Sequence, residues 1–142
     1  YGEIFGCAAA LSGAFLMDRL PTLDNRSPDY TQRRSYYEAV FGDLNRLPGS
    51  DADCEALYLR RKEAGLPIPR LYMACGTEDF LIEPNRKYRD FLRKQGADLR
   101  YEEGPGIHDF HFWSEYLQHV LDWLPLEERG AGISSGNVRR AY

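Results

Sequence analysis

The sequence predicts an α/β domain built on a parallel sheet of about three strands with helices on both faces. Three observations carry this. Two short runs, Ile4 to Leu11 and Leu71 to Cys75, are apolar almost without interruption, as strands buried on both faces read. A third run alternates Leu99 and Tyr101 with Arg100 and Glu102. Between and after these, apolar residues recur at helical spacing, and strands alternating with helices imply right-handed crossovers into one parallel sheet.

Each element follows from its residues. Phe5, Cys7, Ala8, Ala9 and Ala10 form the first strand, which ends at Ser12-Gly13. Residues 18–35 are polar, hold Pro21 and Pro28 and show no apolar period, so they read as a surface excursion of the kind that serves as a lid. Tyr36 to Leu44 suits a short helix, closed by the turn Leu47-Pro48-Gly49. Ser50-Asp51-Ala52-Asp53 resembles a capping box opening another helix that ends near Gly65. Pro67 and Pro69 forbid its continuation, and Leu71 to Cys75 is then the central strand, ended by Gly76. Pro84 fits a first helical turn, Tyr88, Phe91, Leu92 and Gln95 keep helical spacing, and Gly96 suits the C-terminal cap. The alternating third strand is half exposed, as at a sheet edge. Phe112, Trp113, Tyr116, Leu117, Val120, Leu121 and Leu124 form an amphipathic helix stopped by Pro125. From Glu127 onward Gly, Ser, Arg and Asn dominate, a composition that predicts a disordered tail after one domain over residues 1–126. A sheet of these strands alone leaves the apolar edge of the first unpaired, so further strands are expected before Tyr1.

Composition narrows the partners. A net charge of −4 with no long Lys/Arg cluster argues against nucleic acid, which demands a concentrated positive field. No apolar run approaches the roughly 20 residues that cross a bilayer, so no membrane partner is expected. Cys7, Cys54 and Cys75 are odd in number and widely spaced, which suggests neither a disulfide framework nor a zinc motif and fits a reducing, cytoplasmic compartment.

In open α/β sheets reactive side chains collect beyond the carboxyl ends of the strands. Two loops qualify: Gly76-Thr77-Glu78-Asp79-Phe80-Leu81 offers an acid, and Gly104-Pro105-Gly106-Ile107-His108-Asp109-Phe110 offers a histidine. A carboxylate beside an imidazole is the orienter-and-base pair of acyl transfer. Taken singly, Asp79 reads first as a helix cap and His108 as a surface histidine; together, in that order on adjacent strands, they read as a pair. Ser12, Phe80, Phe110 and Trp113 are candidates for the wall of an acyl pocket. His111 is a rival base but belongs inside the last helix. His108, Asp109, His111 and His119 lack a metal-binding spacing, so neither metal nor cofactor is expected.

The segment RLYMACGTEDFLIEPNRKYRDFL, followed by YEEGPGIHDFHFW and DWLPL, resembles the closing part of the esterase D and tributyrin-esterase-like family of α/β-hydrolases. IFGCAAALSGAF and FGDLNRLPGS extend the likeness over residues 1 to about 126. The resemblance implies the C-terminal part of an α/β-hydrolase fold, with Asp79 and His108 as the acid and histidine of a Ser-Asp-His triad. It also implies a small ester as substrate: a short-chain ester, an acylated carbohydrate or a thioester such as S-formylglutathione. The family's serine sits in a G-x-S-x-G elbow with its oxyanion hole. No such elbow is read anywhere in the chain, so the serine is expected shortly before Tyr1 and the 142 residues alone are expected to be inactive. The competing expectation is a non-catalytic truncated hydrolase that offers its open sheet edge to a partner, a second copy included.

Overall fold

The computed structural model describes residues 2–126, together with the backbone of 133–134 and 138–139. Its sheet has three parallel strands in the order β1 (Cys7–Leu11), β2 (Arg70–Gly76), β3 (Leu99–Gly104). β1 pairs with β2 from Cys7↔Arg70 to Leu11↔Ala74, and β2 with β3 from Leu71↔Leu99 to Gly76↔Gly104.

The alternation of side chains along β2 decides what packs where. Tyr72 and Ala74 point to one face, where α4 (Phe110–Trp123) covers them with Phe112, Tyr116, Val120 and Trp123. Met73 points to the other face and meets Tyr58 of α2 (Cys54–Glu63) with Tyr88 and Leu92 of α3 (Ile82–Lys94). Helices thus lie on both faces of the central strand. Leu92 is fully buried, and Leu92→Ala is expected to destabilise the domain by about 2–5 kcal/mol through the lost burial and the cavity left behind. Denaturant unfolding would show this as a lower midpoint at unchanged slope.

A third cluster joins Cys75, at the end of β2, to Leu81, Leu16, Leu20, Leu44 and Leu47. It corrects the reading of residues 18–35 as a surface excursion alone, because Leu20 is only 1% exposed. That apolar anchor was masked by the prolines and charges around it. The segment holds two 3-10 turns, Leu20–Thr22 and Tyr30–Gln32. Arg34 pins it, donating its backbone N–H to the Asp24 carbonyl (2.8 Å) and its Nη1 to the Pro21 carbonyl (3.0 Å).

Two helix boundaries differ from expectation for local reasons. α1 spans Arg34–Phe41, because Gly42 turns the chain at φ 74° and Asp43 opens a separate 3-10 turn, accepting from the Asn45 N–H. α2 is capped by Asp53 rather than Ser50: its Oδ1 accepts from the N–H groups of Glu55 and Ala56, and its Oδ2 from that of Gly49. An aspartate next to the first helical residue outcompetes a serine placed too early for the cap position.

The first strand also differs. It is shorter than Ile4 to Leu11 and not buried on both faces: Ala8 and Ala9 are exposed, as are Ile4 and Phe5. The reason is pairing, since among the described residues β1 has β2 on one side and no strand on the other. β3 is the half-exposed edge that its alternation predicts. The expected disorder of 127–142 lies outside the described residues, apart from β4 (Ile133–Ser134) pairing antiparallel with β5 (Val138–Arg139). Among the described residues, no helix is long and apolar enough to cross a membrane.

Candidate active site

Asp79 and His108 stand on the turns that follow β2 and β3. The Asp79 turn closes on itself: its N–H donates to the Gly76 carbonyl (3.1 Å), and its own carbonyl accepts from the Ile82 N–H (3.0 Å) as α3 begins. Its carboxylate is fully buried. Oδ1 accepts from the Leu81 N–H at 2.8 Å, and Oδ2 lies 3.0 Å from His108 Nδ1. A carboxylate only accepts, so Nδ1 carries the shared proton and Nε2 is left as the basic nitrogen. The imidazole is one-third exposed.

The two turns touch through backbone. Thr77 donates its N–H to the Gly104 carbonyl (2.8 Å), and Glu78 donates its N–H to the Gly106 carbonyl (3.1 Å). A Cβ on Gly76 would stand 2.1 Å from the Gly106 oxygen, so glycine at the end of β2 is what allows the histidine turn to settle there. Gly106 itself holds φ 146°, a region that L side chains rarely adopt.

His108 opens onto a cavity of about 730 Å³ whose wall also includes Ser12, Phe80 and residues of the 18–35 segment. The other two candidates for this wall, Phe110 and Trp113, are not in it. Trp113 stands behind, donating its indole N–H to Ser12 Oγ (3.0 Å) with its ring edge-on to His108 (4.9 Å between centroids). Phe110 is 80% exposed and meets Trp113 edge-on. Phe80 also meets the imidazole, at 4.9 Å between ring centroids. Ser12 follows β1 at φ 50°, with its hydroxyl bound to the indole and its residue 5% exposed.

The remaining polar candidates lie elsewhere. His111 is within α4, and His119 pairs with Glu102 (Nδ1 to Oε2, 2.7 Å). Among the described residues, no group of three or more His, Cys, Asp or Glu is arranged to hold a metal ion. Cys75 lies beneath the site, but burial first and the Asp79 charge second push its thiol up to about 12, so it does not present a thiolate near neutral pH.

Two features escaped the sequence reading. Asn85 is fully buried and donates Nδ2 to the carbonyls of Gly13 and Leu81 (both 2.8 Å), tying the loop after β1 to the start of α3. Its signal was a polar residue on the same helix face as Tyr88 and Leu92. The second is a literal G-x-S-x-G, Gly132-Ile133-Ser134-Ser135-Gly136, in the segment set aside as tail. It does not have the elbow's context. Ile133–Ser134 is a two-residue strand in an antiparallel pair, and the serine follows the histidine in the chain, whereas the elbow is a strand-to-helix turn whose serine precedes acid and histidine.

A parallel sheet with helices on both faces, bearing an acid and then a histidine on the turns after adjacent strands, has the form of an α/β-hydrolase. No family model matches the chain. It is 39% identical over 124 residues to an acetyl esterase of Caldicellulosiruptor saccharolyticus, covering 87% of this chain and 47% of that protein. An S-formylglutathione hydrolase of Staphylococcus aureus matches in structure with a TM-score of 0.69 and 29% identity, over 86% of this chain and 45% of the other. The fluorophosphonate-binding serine hydrolase F of the same organism matches at 0.71 with the same identity and coverage. A ferulic acid esterase at 18% identity and a TM-score of 0.51 shares the fold. The chain has the fold of the α/β-hydrolases and is similar to esterases and serine hydrolases built on it. It spans about half the length of the relatives it matches.

Proposed function

We propose that the whole protein is a carboxylic ester hydrolase in which Asp79 orients His108 and His108 acts first as base and then as acid for a serine nucleophile. The observation that carries this reading is the 3.0 Å approach of His108 Nδ1 to a fully buried Asp79 carboxylate at the mouth of a cavity. The pair has one function in acyl transfer: Nε2 takes the proton of the attacking hydroxyl, and the carboxylate stabilises the imidazolium that results. His108 then returns that proton to the leaving oxygen, and the cycle repeats with water on the acyl-enzyme.

In this reading the serine and its oxyanion donors belong to the part of the relatives' length that the chain does not span, before Tyr1. The substrate is a short-chain acyl ester or an acylated carbohydrate, with Ser12 and Phe80 on the pocket wall and Phe110 and Trp113 supporting it. No cofactor takes part, and the partner is the small-molecule ester itself.

The test is to give the whole protein short-chain acyl esters and a serine-directed phosphonylating reagent. Saturable acid release and labelling of one serine, on a peptide preceding residue 1, are the expected results. The 142 residues alone are expected to do neither. Turnover with no labelled serine, or labelling of Ser134, would overturn the assignment of the nucleophile, and a whole protein inert to esters would overturn the reading itself.

A further inference from the structure

Glu78 precedes the buried Asp79 and is itself exposed, yet its side chain is engaged twice. Its Oε2 accepts from the Gly106 N–H at 2.6 Å, and its Oε1 accepts from the Thr77 hydroxyl at 2.8 Å. The first contact completes a ring, because the Glu78 N–H already donates to the Gly106 carbonyl at 3.1 Å. Gly106 is thus gripped at both its N–H and its C=O by one residue. The Thr77 hydroxyl holds the gripping carboxylate in its rotamer.

The geometry points to Glu78 as a positioning residue: by clamping Gly106 it sets the imidazole of His108, two residues on, against the Asp79 carboxylate. Gly106 needs such a clamp. At φ 146° it lies in a region open to glycine alone, and glycine has the widest conformational freedom of any residue. Gly76 supplies a close approach but no bond that fixes direction. The side-chain bond to the Gly106 N–H is charge-assisted, short and directional. Acid and clamp are consecutive residues, so a shift of the histidine turn relative to Glu78 is the same shift relative to Asp79.

The kinetic arm of the test rests on the ester-hydrolase reading; a spectroscopic arm does not. In the whole protein, Glu78→Ala is expected to lower kcat by roughly 10- to 100-fold, the cost of about an ångström of misplacement at a reacting group. KM should stay within about twofold, since Glu78 lies outside the cavity wall. Glu78→Gln keeps an acceptor oxygen and should restore most of the loss. The low-field proton resonance of His108 Nδ1, visible whether or not the protein turns over, should broaden or move in Glu78→Ala and persist in Glu78→Gln. Thr77→Val, which frees the carboxylate without removing it, should give a smaller change in the same direction.

Unchanged kcat and an unchanged Nδ1 resonance in Glu78→Ala would overturn the assignment while leaving the hydrolase reading intact. A protein inert to esters whose Nδ1 resonance still depends on Glu78 would do the reverse. A lower melting temperature with kcat and resonance both unmoved would make Glu78 a surface staple only, and the assignment would fall.

Discussion

His108→Ala in the whole protein is expected to lower ester turnover by roughly 10⁴- to 10⁶-fold, the range lost when the base of such a unit is removed. The fall should appear in kcat, with KM little changed, because the proposed role of the imidazole is to move a proton rather than to bind the ester. Stability should fall by about 1–3 kcal/mol, because the substitution leaves Oδ2 of the buried Asp79 carboxylate without its partner. Little packing is lost, since the ring meets Phe80 and Trp113 and is one-third exposed. Single-turnover assays with melting curves on both proteins separate the two effects. Retained turnover would remove His108 from the mechanism.

Asp79→Asn is the sharper test, and the structure dictates how it acts. Oδ1 of Asp79 is fixed by the Leu81 N–H, and Oδ2 faces His108. An asparagine keeps its carbonyl oxygen on Leu81, which turns its amide NH₂ toward Nδ1. Two donors cannot face each other, so the imidazole moves its proton to Nε2 and loses the lone pair that accepts from the serine. A fall of about 10⁴-fold in kcat with the fold intact is expected. A change in stability alone would make Asp79 a cap for the turn before α3 and nothing more.

What the sequence made legible was set by how local each signal is. β2, α3 and α4 follow from runs and spacings complete within about a dozen residues, where apolar periodicity speaks most clearly. The acid and histidine were found because both strands end in glycine and the turns hold few other titratable groups. β1 was read as buried because its alanines resemble an interior strand, but burial is a property of neighbours, and among the described residues it has one. Leu20 and Asn85 were invisible for the opposite reason. One is a lone apolar residue in a polar stretch, the other a lone polar residue in an apolar stripe, and only packing at a distance in sequence gives either its place. Phe110 misled because an aromatic at a helix start gives no sign of which way it faces; Asp109, capping α4 through the Phe112 N–H, turns that helix so that Phe112 points inward and Phe110 outward.

The 18–35 segment reaches the rest of the domain through Leu20, through the Asp18–Lys87 ion pair and through Arg34, which donates Nε to Glu38 and Nη2 to Asn45. None of its hydrogen bonds described above runs to the turns that hold Asp79 and His108. The segment's share of the cavity wall instead meets the Asp79 turn through packing, because Leu20 lies in one cluster with Leu81 and Cys75. Substitutions at Asp29, Thr31 or Gln32 would therefore recut the wall while leaving the Leu20 anchor and both turns in place, whereas a change at Leu20 would reach the ground beneath Asp79.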